Sequence, residues 1–194
     1  MKRICVFCGS NFGARPEYRE AAIALAKTLA DRGLALVYGG ASVGLMGVIA
    51  DATLARGAEV IGVIPNPMVS RELAHKGLTE LRVVSSMHER KAVMADLSDG
   101  FIAMPGGFGT LEEFFEIVTW GQLGIHAKPF GLLNVRNYFD GLLEFLDRCV
   151  SEQFLKPRHR ETILVAPEPA TLLDLFERHQ PAGGDKWLDR RRES

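Results

Sequence analysis

The chain has 194 residues, which is enough for one well-buried core and short for two. It is 47% hydrophobic and 24% charged, with a net charge of -1, so it lacks the basic excess of a nucleic-acid binder. No apolar run approaches the roughly 20 residues of a membrane-spanning helix. The basic, then apolar start is interrupted at Gly9 before the core of a signal peptide could form. We therefore expect a cytoplasmic protein with no nucleic-acid or membrane partner.

Short apolar runs alternate with longer helical patterns from one end of the chain to the other. The predicted strands cover residues 3–8, 34–38, 59–64, 81–84, 100–104, 129–133 and 163–165. The predicted helices cover residues 16–32, 45–56, 87–97, 110–123, 138–152 and 169–179. This alternation predicts an α/β fold with a doubly wound, mostly parallel sheet of the Rossmann-like, nucleotide-binding type.

The predicted elements form one domain. We expect residues 1–180 to be a single Rossmann-like domain and residues 181–194 to be a flexible C-terminal tail. Residues 65–80 are the one long irregular connection, and we expect them to hang over an active-site crevice.

The cysteines are interpreted as buried thiols. Cys5 and Cys8 form a Cys-x-x-Cys pair, but side chains three apart on a strand point to opposite faces of the sheet. A redox motif of this type sits instead at a helix N-terminus. With Cys149 far away in sequence, we expect all three thiols to be buried and unpaired.

Three predicted strand-to-helix loops are rich in glycine or serine, namely residues 9–13, 39–47 and 105–110. In a doubly wound sheet, ligands bind beyond the carboxyl ends of the strands, where these loops lie. Glycine lets backbone amides approach an anion, and the helix that follows adds its positive end. A tight turn without a ligand explains any one of these loops, but three at one edge favour a phosphate site.

Two known nucleotide-binding motifs are missing from the chain, which limits the candidate ligands. The first loop lacks Gly-x-Gly-x-x-Gly, and the acidic ribose-binding residue expected after the second strand is replaced by Tyr38-Gly39-Gly40. The chain also lacks Gly-x-x-x-x-Gly-Lys followed by Ser or Thr. We therefore expect a phosphate-containing ligand of the size of a nucleotide. We expect neither that this ligand is NAD nor that the protein hydrolyses ATP.

Glu113 has two possible roles. Thr110 and Glu113 have the spacing of a capping box, in which each side chain satisfies a backbone amide of the other. Alternatively Glu113, which lies off the apolar stripe of its predicted helix, is a catalytic carboxylate. Spacing alone does not separate the two.

Arg90 lies within the inner stripe of the predicted helix 87–97, which Met87, Met94 and Leu97 define, with Lys91 at its edge. A cation in the first helical turn opposes the helix dipole unless an anion compensates. The turn follows a strand end, so Arg90 should face the crevice, with an anionic ligand or Glu113 as partner. An internal salt bridge stays open as the alternative. No histidine has metal-ligand spacing with a cysteine or carboxylate, so we expect no metal and no cofactor.

Two motifs together carry a resemblance. Met87-His88-Glu89-Arg90-Lys91, followed by the stretch Pro105-Gly106-Gly107-Phe108-Gly109-Thr110-Leu111-Glu112-Glu113, resembles the LONELY GUY (LOG) family of cytokinin riboside 5'-monophosphate phosphoribohydrolases. Residues 8–10, 39–40, 44–47 and 120–124 resemble the same family, so the resemblance covers roughly residues 3–155. Members have often been labelled lysine decarboxylases, a name that these residues do not support.

The resemblance implies hydrolysis of the N-glycosidic bond of adenosine 5'-monophosphate, unmodified or N6-modified, to free base and ribose 5-phosphate. It implies a homodimer, and it makes Arg90 and Glu113 the catalytic pair. The substrate-binding residues that it implies are Gly9, Ser10, Glu72, Lys91, Gly106, Gly107, Phe108, Gly109, Thr110 and Glu112.

The sequence leaves three points open. The general acid for the departing base is Asp99, Glu112 or water. The runner-up function is a non-catalytic nucleotide carrier of the molybdenum-cofactor type, which shares fold and loops. A pyridoxal-phosphate lysine decarboxylase is the third and weakest alternative.

Overall fold

The computed structural model describes residues 1–69 and 74–180, and the structural statements below concern these residues. Their strands form one parallel sheet in the order β4-β3-β2-β1-β5-β6-β7. The strands are β1 (Arg3–Phe7), β2 (Ala35–Tyr38), β3 (Val60–Pro65), β4 (Glu80–Val84), β5 (Gly100–Ala103), β6 (Phe130–Leu133) and β7 (Ile163–Ala166). The predicted doubly wound, Rossmann-like α/β fold is therefore confirmed.

Helices connect successive strands. They are α1 (Pro16–Asp31), α2 (Gly44–Leu54), α3 (Asn66–Val69), α4 (Met87–Leu97), α5 (Phe108–Gln122), α6 (Asp140–Ser151), α7 (Pro157–Glu161) and α8 (Pro169–Glu177). A 3₁₀ turn covers Val135–Asn137. Each predicted strand agrees with the structure to within one residue at either end, and the six predicted helices agree to within two. The short helices α3 and α7 and the 3₁₀ turn were not predicted, because three to five residues carry too little periodicity.

Side chains that alternate along the strands build two cores, one on each face of the sheet. Ile4 and Val6 of β1 belong to a cluster with residues of α1, α2 and α8. Cys5 and Phe7 belong to a second cluster with residues of α4, α5 and α6. Both faces of every central strand are thus buried, which explains why these strands are almost continuously apolar.

The order of the strands reverses between β1 and β5. From β1 the sheet grows through β2, β3 and β4 on one side, and through β5, β6 and β7 on the other. The loops that follow β1 and β5 therefore diverge toward opposite faces and leave a crevice between them, which is where ligands bind in such sheets.

The cysteine prediction is right for two thiols and wrong for the third. Cys5 and Cys8 are buried on opposite faces of the sheet, and burial raises the pKa of both thiols well above the ordinary value. Cys149 is only half-buried, because it lies on α6 away from the sheet. The predicted tail, residues 181–194, lies outside the described residues. None of the helices described is long and apolar enough to cross a membrane.

Candidate active site

The three glycine-rich loops meet at the carboxyl edge of the sheet and line one pocket of about 720 Å³. Residues of β1 and of α1, α2, α4 and α5 complete its wall. The predicted site residues among its lining are Gly9, Ser10, Arg90, Gly106, Gly107, Phe108, Gly109, Thr110, Glu112 and Glu113.

Gly9 joins the three loops through its backbone. Its N–H donates to the carbonyl of Pro105 at 3.1 Å, and its carbonyl accepts from the N–H of Leu45 at 3.0 Å. Gly44 has a φ of +56°, and a Cβ there would lie 2.2 Å from the carbonyl carbon of Ser10. Only glycine at position 44 allows the second loop to approach the first this closely.

The loop after β5 leads directly into α5. Gly107 is the N-cap residue, without a side-chain cap, and the helix begins at Phe108. Thr110 therefore lies in the first turn and is not the N-cap residue, so of the two roles left open for Glu113 the capping box with Thr110 is excluded. The backbone amides of this uncapped turn have no partner within the helix, which makes its N-terminus receptive to an anion.

A side-chain N-cap does occur, but on α4. Ser86 is the N-cap residue, and its Oγ accepts the N–H of Glu89 at 3.1 Å. The Glu89 carboxylate accepts the N–H of Ser85 at 2.7 Å, and the hydrogen bonds from Ser85 lower the pKa of Glu89. This cap fixes where α4 begins, and therefore places Arg90 in its first turn at the crevice.

Arg90 forms the base of the pocket, as predicted. It is only 7% exposed, its Nε donates to the carbonyl of Val63 at 3.1 Å, and its Nη1 lies 3.1 Å from Oε1 of Glu113. Met87, predicted to belong to the inner stripe, is 43% exposed because the first turn of α4 extends beyond the sheet. Its sulfur instead contacts Nη1 of Arg90 at 3.7 Å.

Glu113 is the carboxylate at the base of this pocket. Its side chain is 11% exposed. Burial raises the pKa of Glu113 above the ordinary value of a glutamate, although the Arg90 guanidinium acts in the opposite direction. The partner of Glu113 is thus a buried cation on another helix and not the backbone of its own helix.

Lys91 is directed away from the pocket. Its Nζ lies 2.5 Å from Oε1 of Glu112 and 3.1 Å from Oε2 of Glu116. Burial favours the neutral amine, but the two carboxylates outweigh it, and the pKa of Lys91 is raised. Glu112 lines the pocket and Lys91 does not.

Two further residues named from the sequence, Asp99 and Glu72, are not among the described residues that line the pocket. Asp99 precedes β5, at the opposite edge of the sheet, and accepts hydrogen bonds from the N–H groups of Lys2 and Arg3. Burial alone would raise the pKa of Asp99, but these hydrogen bonds outweigh it and lower the pKa. Asp99 is therefore no acid for a ligand in the crevice. Glu72 lies outside the described residues.

Part of the pocket was not predicted from the sequence. Phe12, Tyr18, Val43, Met46, Met68, Met87 and Tyr138 add an apolar and aromatic wall. Phe12, Val43, Met46 and Met87 lie within the glycine-rich loops and the Met87–Lys91 motif but were not among the predicted site residues, whereas Tyr18, Met68 and Tyr138 lie in parts of the chain without a motif. Phe108, which was predicted, is 94% exposed at the lip of the pocket.

The pocket offers little to a metal or to pyridoxal phosphate. Among the residues the structure describes, no group of three His, Cys, Asp or Glu side chains is placed to hold a metal ion. A pyridoxal-phosphate enzyme needs a lysine for the Schiff base, and the described lining of the pocket contains no lysine.

The fold and the site together define a Rossmann-like α/β protein whose switch-point crevice combines an anion-receptive loop with a buried carboxylate–guanidinium pair. A family model described as "Possible lysine decarboxylase" matches residues 46–176. A cytokinin riboside 5'-monophosphate phosphoribohydrolase of Arabidopsis thaliana is 51% identical over 180 residues, which are 93% of this chain and 83% of the relative. A probable enzyme of the same name from Oryza sativa subsp. japonica is 51% identical over 191 residues, which are 96% of this chain and 90% of the relative. The chain belongs to the LONELY GUY (LOG) family of cytokinin riboside 5'-monophosphate phosphoribohydrolases.

Solved structures agree on the fold. The molybdenum cofactor binding protein of Rippkaea orientalis superimposes with a TM-score of 0.69 over 92% of this chain and 97% of that protein. Its sequence identity is 22%, so the likeness concerns the fold alone.

Proposed function

We propose that this protein hydrolyses the N-glycosidic bond of adenosine 5'-monophosphate, or of its N6-modified forms, and releases free base and ribose 5-phosphate. The observation that carries this proposal is the Glu113 carboxylate held by Arg90 at the base of a pocket whose rim is a glycine-rich helix N-terminus. Relatives that are 51% identical and carry this activity in their names support it.

The uncapped first turn of α5 is the proposed phosphate site. Gly106, Gly107, Gly109 and Thr110 present backbone amides there, and Gly106 packs tightly enough on Thr110 that a Cβ would lie 2.1 Å from Oγ1. Such amides and the positive end of the helix together stabilise a phosphate. The phosphate then holds the ribose in register over Glu113.

Glu113 is the proposed catalytic carboxylate. As the base departs with the electrons of the glycosidic bond, positive charge develops on the ribose ring. An ionised Glu113 stabilises this charge and accepts a hydrogen bond from the water that adds to C1'. The proton lost by that water balances the proton gained by the base. Arg90 favours the ionised form of Glu113 and partly offsets the effect of burial.

The other assignments inside and beside the pocket are proposed with it. Gly9, Ser10 and Phe108 are proposed to contact the substrate, and Glu112 to bind it or to protonate the base. Lys91 is proposed to act through Glu112, since its ammonium group is 2.5 Å from that carboxylate. Glu72 is proposed beside the base or ribose.

We also propose a homodimer that works in the cytoplasm. Exposed aromatic side chains on and after α6, Phe145 at 59% and Phe154 at 88%, suit an apolar contact between copies. Three free cysteine thiols suit a reducing compartment. Sedimentation of the purified protein over a range of concentrations tests the dimer.

The substrate comparison tests the activity. Purified protein is incubated with AMP, adenosine, isopentenyladenosine monophosphate and isopentenyladenosine, and chromatography follows free base and ribose 5-phosphate. We expect base release from both monophosphates and little from the nucleosides, since the nucleosides lack the group that the α5 N-terminus binds. The ratio of the two monophosphate rates measures base preference.

The carrier alternative makes the opposite prediction. A carrier binds AMP and leaves it intact, so tight binding without base release would contradict the proposed activity. Equal cleavage of nucleosides and monophosphates would contradict the proposed phosphate site but would still support the proposed hydrolase activity.

A further inference from the structure

Tyr138 contacts the glycine-rich loop 105–110, and it comes from a part of the chain that carries no motif. Its hydroxyl donates a hydrogen bond to the carbonyl of Gly106 at 2.7 Å, across 32 residues of sequence. Tyr138 lines the pocket, while the connection between β6 and α6 that carries it is a fourth loop at the carboxyl edge of the sheet.

The two residues before Tyr138 adopt a backbone conformation that side chains disfavour. Arg136 has φ 53° and ψ 34°, and Asn137 has φ 60°, both in the left-handed region. Consecutive left-handed residues other than glycine persist only where their surroundings enforce them, and they concentrate at functional sites. Here they turn the chain so that Tyr138 reaches the glycine-rich loop.

The side chain of Asn134 braces this turn from inside. It is 9% exposed, its Oδ1 accepts the N–H of Phe139 at 2.8 Å, and its Nδ2 donates to Oδ1 of Asp140 at 2.7 Å. One buried amide therefore connects the end of β6 to the beginning of α6. The backbone on the C-terminal side of Tyr138 is held in place by these bonds.

Aromatic packing fixes the ring itself. The ring of Tyr138 meets that of Tyr18 edge to face, with 5.6 Å between centroids and 79° between planes. It meets the ring of Phe139 at 5.0 Å and 88°. Contacts of this geometry are favourable, so the Tyr138 hydroxyl is presented to Gly106 in one orientation.

The hydrogen bond to Gly106 also orients the next amide. The peptide group between Gly106 and Gly107 is planar and trans, so its N–H points away from the carbonyl and hence away from Tyr138. Two glycines flank this peptide, and glycine allows it to rotate between opposite orientations. In the described structure the Gly107 N–H donates to no backbone carbonyl.

We propose that Tyr138 is a positioning residue that locks the Gly106–Gly107 peptide in the orientation in which the Gly107 N–H binds the substrate phosphate. Without the tyrosine hydroxyl, the peptide samples the flipped orientation, in which a carbonyl oxygen faces the anion. The proposal rests on the proposed function of the loop as a phosphate site.

Tyr138→Phe tests it, because the substitution keeps the ring and removes only the hydroxyl. The other amides of the loop still hold the phosphate in register, so loss of one aligned N–H should weaken binding of the ground and transition states alike, and we expect KM for AMP to rise about tenfold with kcat within about twofold of wild type. Calorimetric titration should show ribose 5-phosphate binding weakened by a similar factor, while binding of free adenine is unchanged. Tyr38→Phe is the matched control, since the Tyr38 hydroxyl is buried outside the pocket lining and should leave all these values unchanged.

An unchanged KM and unchanged ribose 5-phosphate affinity in Tyr138→Phe would overturn the proposal. A parallel weakening of adenine and ribose 5-phosphate would do so as well, because it would indicate a general disturbance of the pocket. The calorimetric arm needs no turnover. If wild type binds ribose 5-phosphate but releases no base from AMP, the proposed activity fails while the role of Tyr138 is still measured.

Discussion

The guanidinium of Arg90 occupies the space that a side chain on Gly39 would take. A Cβ at position 39 would lie 2.0 Å from Nη2 of Arg90 and 2.6 Å from the terminal methyl of Met46. Gly39 follows β2 and has no positive φ that requires glycine, so its role is to make room. The position of Arg90, and through it that of Glu113, depends on this missing side chain.

Gly39→Ala should therefore reduce activity strongly without unfolding the protein. Displacing Arg90 by an ångström or more breaks the alignment with Glu113, and we expect kcat/KM for AMP to fall about 100-fold. Overpacking should lower the free energy of unfolding by about 1–3 kcal/mol. Steady-state kinetics and urea unfolding measure the two effects.

Gly141→Ala is the control for this substitution. Gly141 lies on α6 and is exposed, and a Cβ added there would have no atom of the described structure within 4 Å. Alanine there should leave activity unchanged and stabilise the helix by about 0.5–1 kcal/mol. Full activity in Gly39→Ala would show that Arg90 does not need its present position.

The raised pKa of Glu113 predicts a pH-dependent stability. A carboxyl whose pKa is raised in the folded state contributes stability that is present below its unfolded pKa of about 4.3. That contribution is lost as the pH rises through the folded pKa. The free energy of unfolding of wild type minus that of Glu113→Gln should therefore decrease as the pH rises above the unfolded pKa. Urea unfolding of both proteins as a function of pH measures it.

Glu89→Gln should show the opposite dependence of the free energy of unfolding on pH. Hydrogen bonds from Ser85 lower the pKa of Glu89, so its contribution is present above the unfolded pKa and lost as the pH falls. The same difference, wild type minus Glu89→Gln, should increase with pH. Slopes of the same sign for both variants would contradict the burial of Glu113.

The strands and most of the helices follow from local signals in the sequence, whereas the start of α5 does not. The strands could be predicted because both their faces are buried, as at Ile4 and Cys5, which leaves continuous apolar runs. Thr110 and Glu113 have the spacing of a capping box but do not form one, because α5 begins before Thr110. Ser86 and Glu89 have the same spacing, and only the observed helix starts distinguish them.

The pairing of Arg90 with Glu113 could be predicted because each follows a strand end at one sheet edge. The roles of Gly39 and Tyr138 could not, because each depends on an atom more than 30 residues away. The exposure of Met87 was missed for a related reason, since helical periodicity does not tell where α4 extends past the sheet.

Lys91 should matter for stability more than for substrate affinity. Its ammonium group lies between Glu112 and Glu116, and its side chain is only 10% exposed. Lys91→Met leaves the two carboxylates facing each other, and we expect a loss of about 1–2 kcal/mol in the free energy of unfolding. KM for AMP should change less than about threefold, which is small beside the tenfold expected for one lost charge-assisted hydrogen bond.

Lys27→Met is the comparison, because Lys27 pairs with Asp31 on the exposed face of α1. An exposed pair of this kind contributes about 0.5 kcal/mol or less. Equal destabilisation by the two substitutions would contradict the buried role of Lys91, and a large rise in KM would show that Lys91 binds the substrate directly.

Tyr38→Phe should make the protein more stable. The Tyr38 hydroxyl is buried and has no hydrogen-bond partner in the described structure, and burial raises its pKa above the ordinary value. Removing an unsatisfied buried hydroxyl should add about 1 kcal/mol to the free energy of unfolding, measured by urea denaturation. A loss of stability would reveal a bound water that the hydroxyl holds.

The central claim is that Glu113 performs the chemistry while the α5 N-terminus binds the phosphate. The most direct test measures AMP binding and base release in wild type, Glu113→Gln and Arg90→Ala. We expect Glu113→Gln to bind AMP within about tenfold of wild type but to release adenine at least about 1,000-fold more slowly, as for a group that acts in the transition state. Arg90→Ala should lose most of the activity as well. Adenine release by Glu113→Gln at the wild-type rate would contradict the claim and leave Glu113 as a structural partner of Arg90.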